Sequence, residues 1–315
     1  MSDNENQQGQ DGSSGRAPAD SVPPVAPPPP PPSFSPAPQY YPYPPASAVQ
    51  EPFDAVPRDG LYPGASITLA IAVDQEKRGL RPPLRAQLWG LGDVGITFIG
   101  WLGVSLAAGI LVAIFTQADG VSATVKGALT VLAVMTPWIA MAGWPILVTK
   151  LKGNGPLIDL GLRWSWRDIG WGVVYGIAAL VTAVALGAAT SALFGNFSSA
   201  AGDLGEELSK TNILVVSLFA LSVGVGAPIV EEICFRGLTF TSLAKRGLAP
   251  WLTVVLSALI FAAFHLEPIR LVLLFGIGLV LGIGRLHTGS TTTTIVAHMI
   301  NNMPGAISLF MLALK

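Results

Sequence analysis

The sequence predicts an all-α fold, a multi-span transmembrane helical bundle of about seven spans behind a disordered, Pro-rich N-terminal tail. Three observations predict it. Of the 315 residues, 51% are hydrophobic and only 12% are charged, half of the roughly 25% charge content of soluble domains. From about residue 94 the apolar residues gather into stretches close to the roughly 20 that cross a bilayer core. The first 60 residues hold 16 of the 26 prolines and no periodic hydrophobic pattern.

In chain order, residues 1–60 contain the run Pro27 to Pro32 and a Tyr/Pro stretch from Tyr40 to Pro45. Proline removes backbone donors and favours polyproline II, so no core is expected there. The tail reads as a solvated cytoplasmic segment or as the ligand of a polyproline-recognition partner. No apolar h-region follows the N-terminus, so a cleaved signal peptide is not expected. Residues 61–93 form a juxtamembrane segment, and 94–315 form the transmembrane domain. Its apolar stretches fall at 94–115, 127–149, 169–194, 211–243, 250–266, 269–286 and 292–312. The fourth is too long for one straight span and contains Gly224, Gly226 and Pro228, which predicts a break followed by a second helical piece. The short fifth and sixth meet at Pro268, as in a tight helical hairpin.

A net charge of −1 gives no basic surface for nucleic acid. The lone Cys234 excludes an intramolecular disulfide and a cysteine metal cluster, and among apolar neighbours it reads as packing. Lys and Arg favour the cytoplasmic side. With the N-terminus inside, that side holds Lys77, Arg78, Arg81, Arg85, Lys150, Lys152, Arg163, Arg167, Lys245, Arg246 and Arg285, against Lys126, Lys210 and Arg270 opposite. Eleven against three predicts a multi-pass cell-membrane protein with a cytoplasmic N-terminus, and an odd span count puts Lys315 outside. The largest exterior connection, 195–210, carries Asp203, Glu206 and Glu207 and reads as a substrate gate or a solvated connector.

A charge at the centre of a membrane helix costs about 2.5–3.5 kcal/mol on insertion scales, so it needs a reason to stay. Segment four keeps Glu231, Glu232 and Arg236; segment five ends on Phe261 and His265; segment seven holds His298 and Asn302. At 1.5 Å per residue, Glu231 lies about 18 Å from the cytoplasmic end of its segment, His265 about 22 Å, His298 about 10 Å and Asn302 about 17 Å. These depths meet in one layer near mid-membrane, slightly toward the cytoplasm. Residues four apart share a helix face and neighbours diverge by about 100°. Glu232 and Arg236 therefore pair, the acid structural and the base neutralising it, while Glu231 is free to point elsewhere. Phe261, one turn below His265, would wall its ring. Asn301 diverges from Asn302 and reads as a helix contact. A carboxylate and an imidazole can bind and deprotonate one water, and further donors can hold the resulting oxyanion.

At these residues the sequence resembles the CPBP family, the CAAX prenyl proteases and bacteriocin-processing enzymes also called Abi proteins. The family signature is Glu-Glu-x-x-x-Arg, then Phe-x-x-x-His, then His-x-x-x-Asn. Here it reads Glu231, Glu232, Arg236; Phe261, His265; His298, Asn302, in that order and within 211–312. The resemblance implies a metal-free intramembrane endopeptidase in which Glu231 and His265 activate water, His298 and Asn302 form the oxyanion site, and Arg236 holds Glu232. The implied partner is a protein or peptide substrate entering from the membrane or the cytoplasmic side. Three other readings stay open. Glu231, His265 and His298 supply a zinc-type ligand set with an open fourth position. A proton-coupled transporter would also keep intramembrane Glu, Arg and His, although its usual paired broken helices and repeats are not seen. A non-catalytic scaffold or immunity protein would keep the fold alone.

Overall fold

The computed structural model describes residues 61–312 and 314. The Pro-rich tail and the polyproline partner expected for it lie outside the described residues. The described elements are all helical. α1 (Ile67–Lys77) precedes the long α2 (Leu91–Thr116) and α3 (Ala123–Lys152); a single turn α4 (Pro156–Asp159) leads to α5 (Trp166–Phe194). Then come α6 (Ala200–Ser209), α7 (Ile213–Ala244), α8 (Pro250–Phe264), α9 (Leu271–Thr288) and α10 (Thr291–Leu312).

Each of the seven apolar stretches is helical, and six are long and apolar enough to cross a membrane. The fifth, α8, has 15 residues and falls below that length. The chain is an integral membrane protein. Its helices sort by burial: only 6% of the most apolar window of α2 is buried, against 44% in α7 and 50% in the span containing α9. Thus α2 offers side chains such as Ile99 and Leu106 to lipid, while α7 and α9 run through the interior.

The break expected in segment four is absent, and α7 runs unbroken from Ile213 to Ala244. Two wide π-helical turns, Ser222–Gly226 and Ile233–Thr239, take its place. The first absorbs Pro228. Ala227 donates five residues back to Ser222, and Pro228, with no N–H, leaves the next carbonyl, that of Val223, without a donor from the turn. The side chain of Asn302 supplies one, Nδ2 to Val223 O at 3.1 Å. A neighbouring helix thus satisfies the freed backbone group, which is how proline is tolerated inside a membrane.

Helices α8 and α9 form the expected hairpin, joined by a 3-10 turn at Pro268–Arg270. They approach closely because Gly278 and Gly282 face Ala258 and Val254, where an added Cβ would come within 3.1 and 3.0 Å. Gly172 and Gly176 bring α5 onto α10 in the same way; a Cβ there would stand 2.6 Å from Val296 and 2.7 Å from Ile300. Connection 195–210 is mostly the helix α6, seated on α10 where Gly205 meets Leu309.

Candidate active site

The structure brings Glu231, His265 and His298 together. Glu231 Oε2 stands 4.0 Å from His265 Nε2 and 3.9 Å from His298 Nε2. It is buried and takes no hydrogen bond from the described residues. Three helices, α7, α8 and α10, each deliver one of these groups.

Local structure fixes each side chain. The π turn Ile233–Thr239 begins directly after Glu232, at the point where the two glutamates diverge. Arg236 Nη1 donates to Glu232 Oε1 at 2.8 Å, and neither side chain is exposed. Its Nη2 donates to Gly278 O at 3.1 Å, and its guanidinium lies 4.5 Å from the centre of the Phe261 ring. Phe261 also stands edge-on to both histidines, with ring centres 4.7 Å from His265 and 5.8 Å from His298.

His265 terminates α8. Its backbone N–H turns back to Ala262, which leaves the carbonyl of Phe261 unclaimed by the helix. His265 Nδ1 takes that carbonyl at 2.8 Å. The chain then turns sharply through Leu266, whose φ of 55° is the only positive value at a non-glycine among the described residues. His298 is anchored differently, with Nδ1 2.9 Å from Glu232 Oε1. Glu232 thus bridges Arg236 and His298. A carbonyl and an ion-paired carboxylate only accept, so Nδ1 carries the proton in both rings. Each Nε2 therefore faces Glu231 with a lone pair, unless the ring is charged.

Asn302 lies one turn beyond His298 on α10. Donation of one Nδ2 hydrogen to Val223 O leaves a second available, while its Oδ1 accepts from Asn301 Nδ2 at 3.2 Å. Asn301, read as a helix contact, instead lines the same cavity as the other groups. It is three residues from His298, a spacing that shares a face as well as four does.

These groups floor a cavity of about 900 Å³. Its walls include Trp101, Trp138, Phe264 and Leu273, and its rim carries Ser199 and the ion pair Glu267–Arg270. α6 belongs to that rim through Ala200, Ala201 and Leu204. Cys234, 0% exposed, lies outside the cavity lining.

Residues 213–304 match the family model of Rce1-like type II CAAX prenyl endopeptidases. The resemblance read from the three motifs is to this family. The matched stretch runs from the first residue of α7 to the middle of α10, so it contains every group of the site. The match takes in α7 to α9 and the first part of α10, and α2, α3 and α5 lie outside it. No curated protein and no solved structure matches the chain.

Proposed function

We propose that the chain is an intramembrane endopeptidase that hydrolyses a protein or peptide substrate with water activated by Glu231 and His265. The observation that carries this reading is the convergence of two imidazole Nε2 atoms on one buried carboxylate oxygen at 3.9–4.0 Å. That spacing suits a single water about 2.8 Å from each.

A water can donate to only two of the three acceptors, so one of them must carry an additional proton. His298 is the group that does, because its Nδ1 rests on the Glu232 carboxylate whereas that of His265 rests on a neutral carbonyl. Two carboxylates, Arg236 and a charged His298 then sum to zero, the balance an apolar interior favours. Water yields its proton to Glu231, assisted by His265, and the hydroxide adds to the scissile carbonyl carbon. The oxyanion is received by His298 Nε2–H and the second N–H of Asn302. Proton return to the amine nitrogen breaks the C–N bond and releases acid and amine.

Replacing Glu231 by Gln removes the acceptor and should lower turnover by about 10²-fold or more. The readout is the set of cleavage products lost from membranes of cells carrying Glu231→Gln, at unchanged protein level. Full retention of those products sinks the water-activation role. Substitution of Glu231, His265 and His298 together with no change of phenotype would favour the scaffold reading.

A zinc enzyme is the second reading, favoured by the two Nε2 lone pairs whose Nδ1–H groups are already held by acceptors, as metal-bound histidines usually are. Against it, bonds of 2.0–2.1 Å in a tetrahedron would place the donor atoms about 3.3 Å apart, closer than the distances here. Metal content and activity of the purified chain before and after chelation separate the two.

A further inference from the structure

We propose that the cleaved segment reaches the site from the non-cytoplasmic side of the membrane, so that the substrate is a membrane-anchored polypeptide with its scissile bond on that side. This rests on the peptidase reading above and differs from the membrane or cytoplasmic entry expected from the sequence.

The cavity is one-sided along the bundle. From its floor at Glu231, Phe261 and His298 it is walled by Val112 near the end of α2, Thr130 near the start of α3, Leu273 at the start of α9 and Gly305 in the second half of α10. Its rim carries the pair Glu267–Arg270 between α8 and α9. All of these positions lie at one end of the spans, the end where α2 passes to α3 and α8 passes to α9.

The other end is the basic one. Eleven of the Lys and Arg residues that flank spans, from Lys77 to Arg285, sit there, and three sit at the cavity end. By the positive-inside rule the basic end is cytoplasmic. A separate concavity of about 300 Å³ at that end is walled by Arg81, Arg85 and Lys150, which fits the anionic cytoplasmic leaflet. Between the floor and this end the interior is packed, with Phe235, Leu281 and Arg285 all 0% exposed.

The native chain has one cysteine, Cys234, which is fully buried, so introduced cysteines report cleanly. Asn196→Cys lies in the exposed loop at the cavity end, and Gly305→Cys on the cavity wall, where an added Cβ meets nothing within 4 Å. Ala86→Cys is exposed at the basic end. In intact cells expressing the full chain, a membrane-impermeant maleimide should label Asn196→Cys and Gly305→Cys, and Ala86→Cys only after permeabilisation. Labelled Gly305→Cys should also lose the cleavage products that Glu231→Gln loses. The inverse labelling pattern, protection of Gly305→Cys while Asn196→Cys reacts, or cleavage persisting after full labelling would each overturn the inference. If instead Glu231→Gln changes no product, the peptidase reading fails, and the labelling still reports the side on which the cavity opens.

Discussion

Arg236 has no exposed surface, and a guanidinium can stay at that depth only because its contacts are nearly complete: Glu232, the Gly278 carbonyl and the face of Phe261. Removing one partner of a buried pair typically costs about 3–5 kcal/mol, since the other charge is left uncompensated. Arg236→Met should therefore lower the thermal unfolding midpoint in detergent sharply, more than any substitution on the lipid face of α2. Glu232→Gln keeps the shape and removes the charge from His298 Nδ1. It should cut turnover by about 10²-fold with little change in KM for a given peptide; an equal rise in KM would make Glu232 a packing group only. The spacing of Glu232 and Arg236 made this pair readable in the sequence. Two partners were not readable, because the acceptors of His265 Nδ1 and Asn302 Nδ2 are backbone carbonyls, which leave no trace in side-chain pattern. Asn301 diverges from Asn302 yet lines the cavity, because a three-residue spacing from His298 also shares a helix face.

At the scale of elements, hydropathy located every long helix, since lipid-facing and core-facing residues are alike apolar. It could not distinguish a broken helix from one with π turns, because a turn with one additional residue differs only in which carbonyl an N–H meets. The glycines of α5 determine where α10 stands. A Cβ at Gly176 would lie 2.7 Å from Ile300 and 3.1 Å from the backbone of Ala297, beside His298. Gly176→Leu should therefore destabilise by about 1–3 kcal/mol and reduce cleavage through displaced α10, with Gly176→Ala milder in both; melting and product analysis of the two variants check the order. Lys245, just beyond the end of α7, adds a pH dependence. Its amine donates to the carbonyls of Gln87 and Trp89 and lies 4.0 Å from the centre of the Trp89 ring. Burial pushes its pKa from 10.5 down to about 8, against the opposing pull of Asp159 and Asp93. Between those values the unfolded chain holds a proton that the folded chain has released, so stability rises with pH across the window. The midpoint should climb modestly from pH 7.5 to 10, and Lys245→Met should flatten that part of the profile.

For the whole molecule, the end of the bundle away from the cavity is fastened by a strap that the sequence did not reveal. Residues 61–93 read only as juxtamembrane, yet Ser66, Ile67, Leu69 and Trp89 are buried. Ser66 Oγ and Thr68 Oγ1 both donate to Ile158 O, Ile67 N donates to Gly289 O, and Arg285 joins the Gly64 carbonyl to that of Arg236 in α7. Short polar segments of this kind have no periodicity to read; their partners come from loops distant in sequence. Asp159 is the centre of the fastening. It is fully buried and accepts from Gln87 Nε2 at 2.8 Å, from Trp89 Nε1 at 2.9 Å and from the Asn154 backbone at 2.9 Å. Asp159→Asn puts an NH2 group where one carboxylate oxygen received donors, so at least one N–H loses its acceptor, at about 1–3 kcal/mol for a buried group. The strap should then loosen before the bundle does. Limited trypsin digestion of the full chain in detergent should cut after Arg85 several-fold faster in Asp159→Asn than in wild type, with the unfolding midpoint of the helical core shifted less. Equal digestion rates would mean that Ser66, Ile67 and Lys245 hold the strap without Asp159.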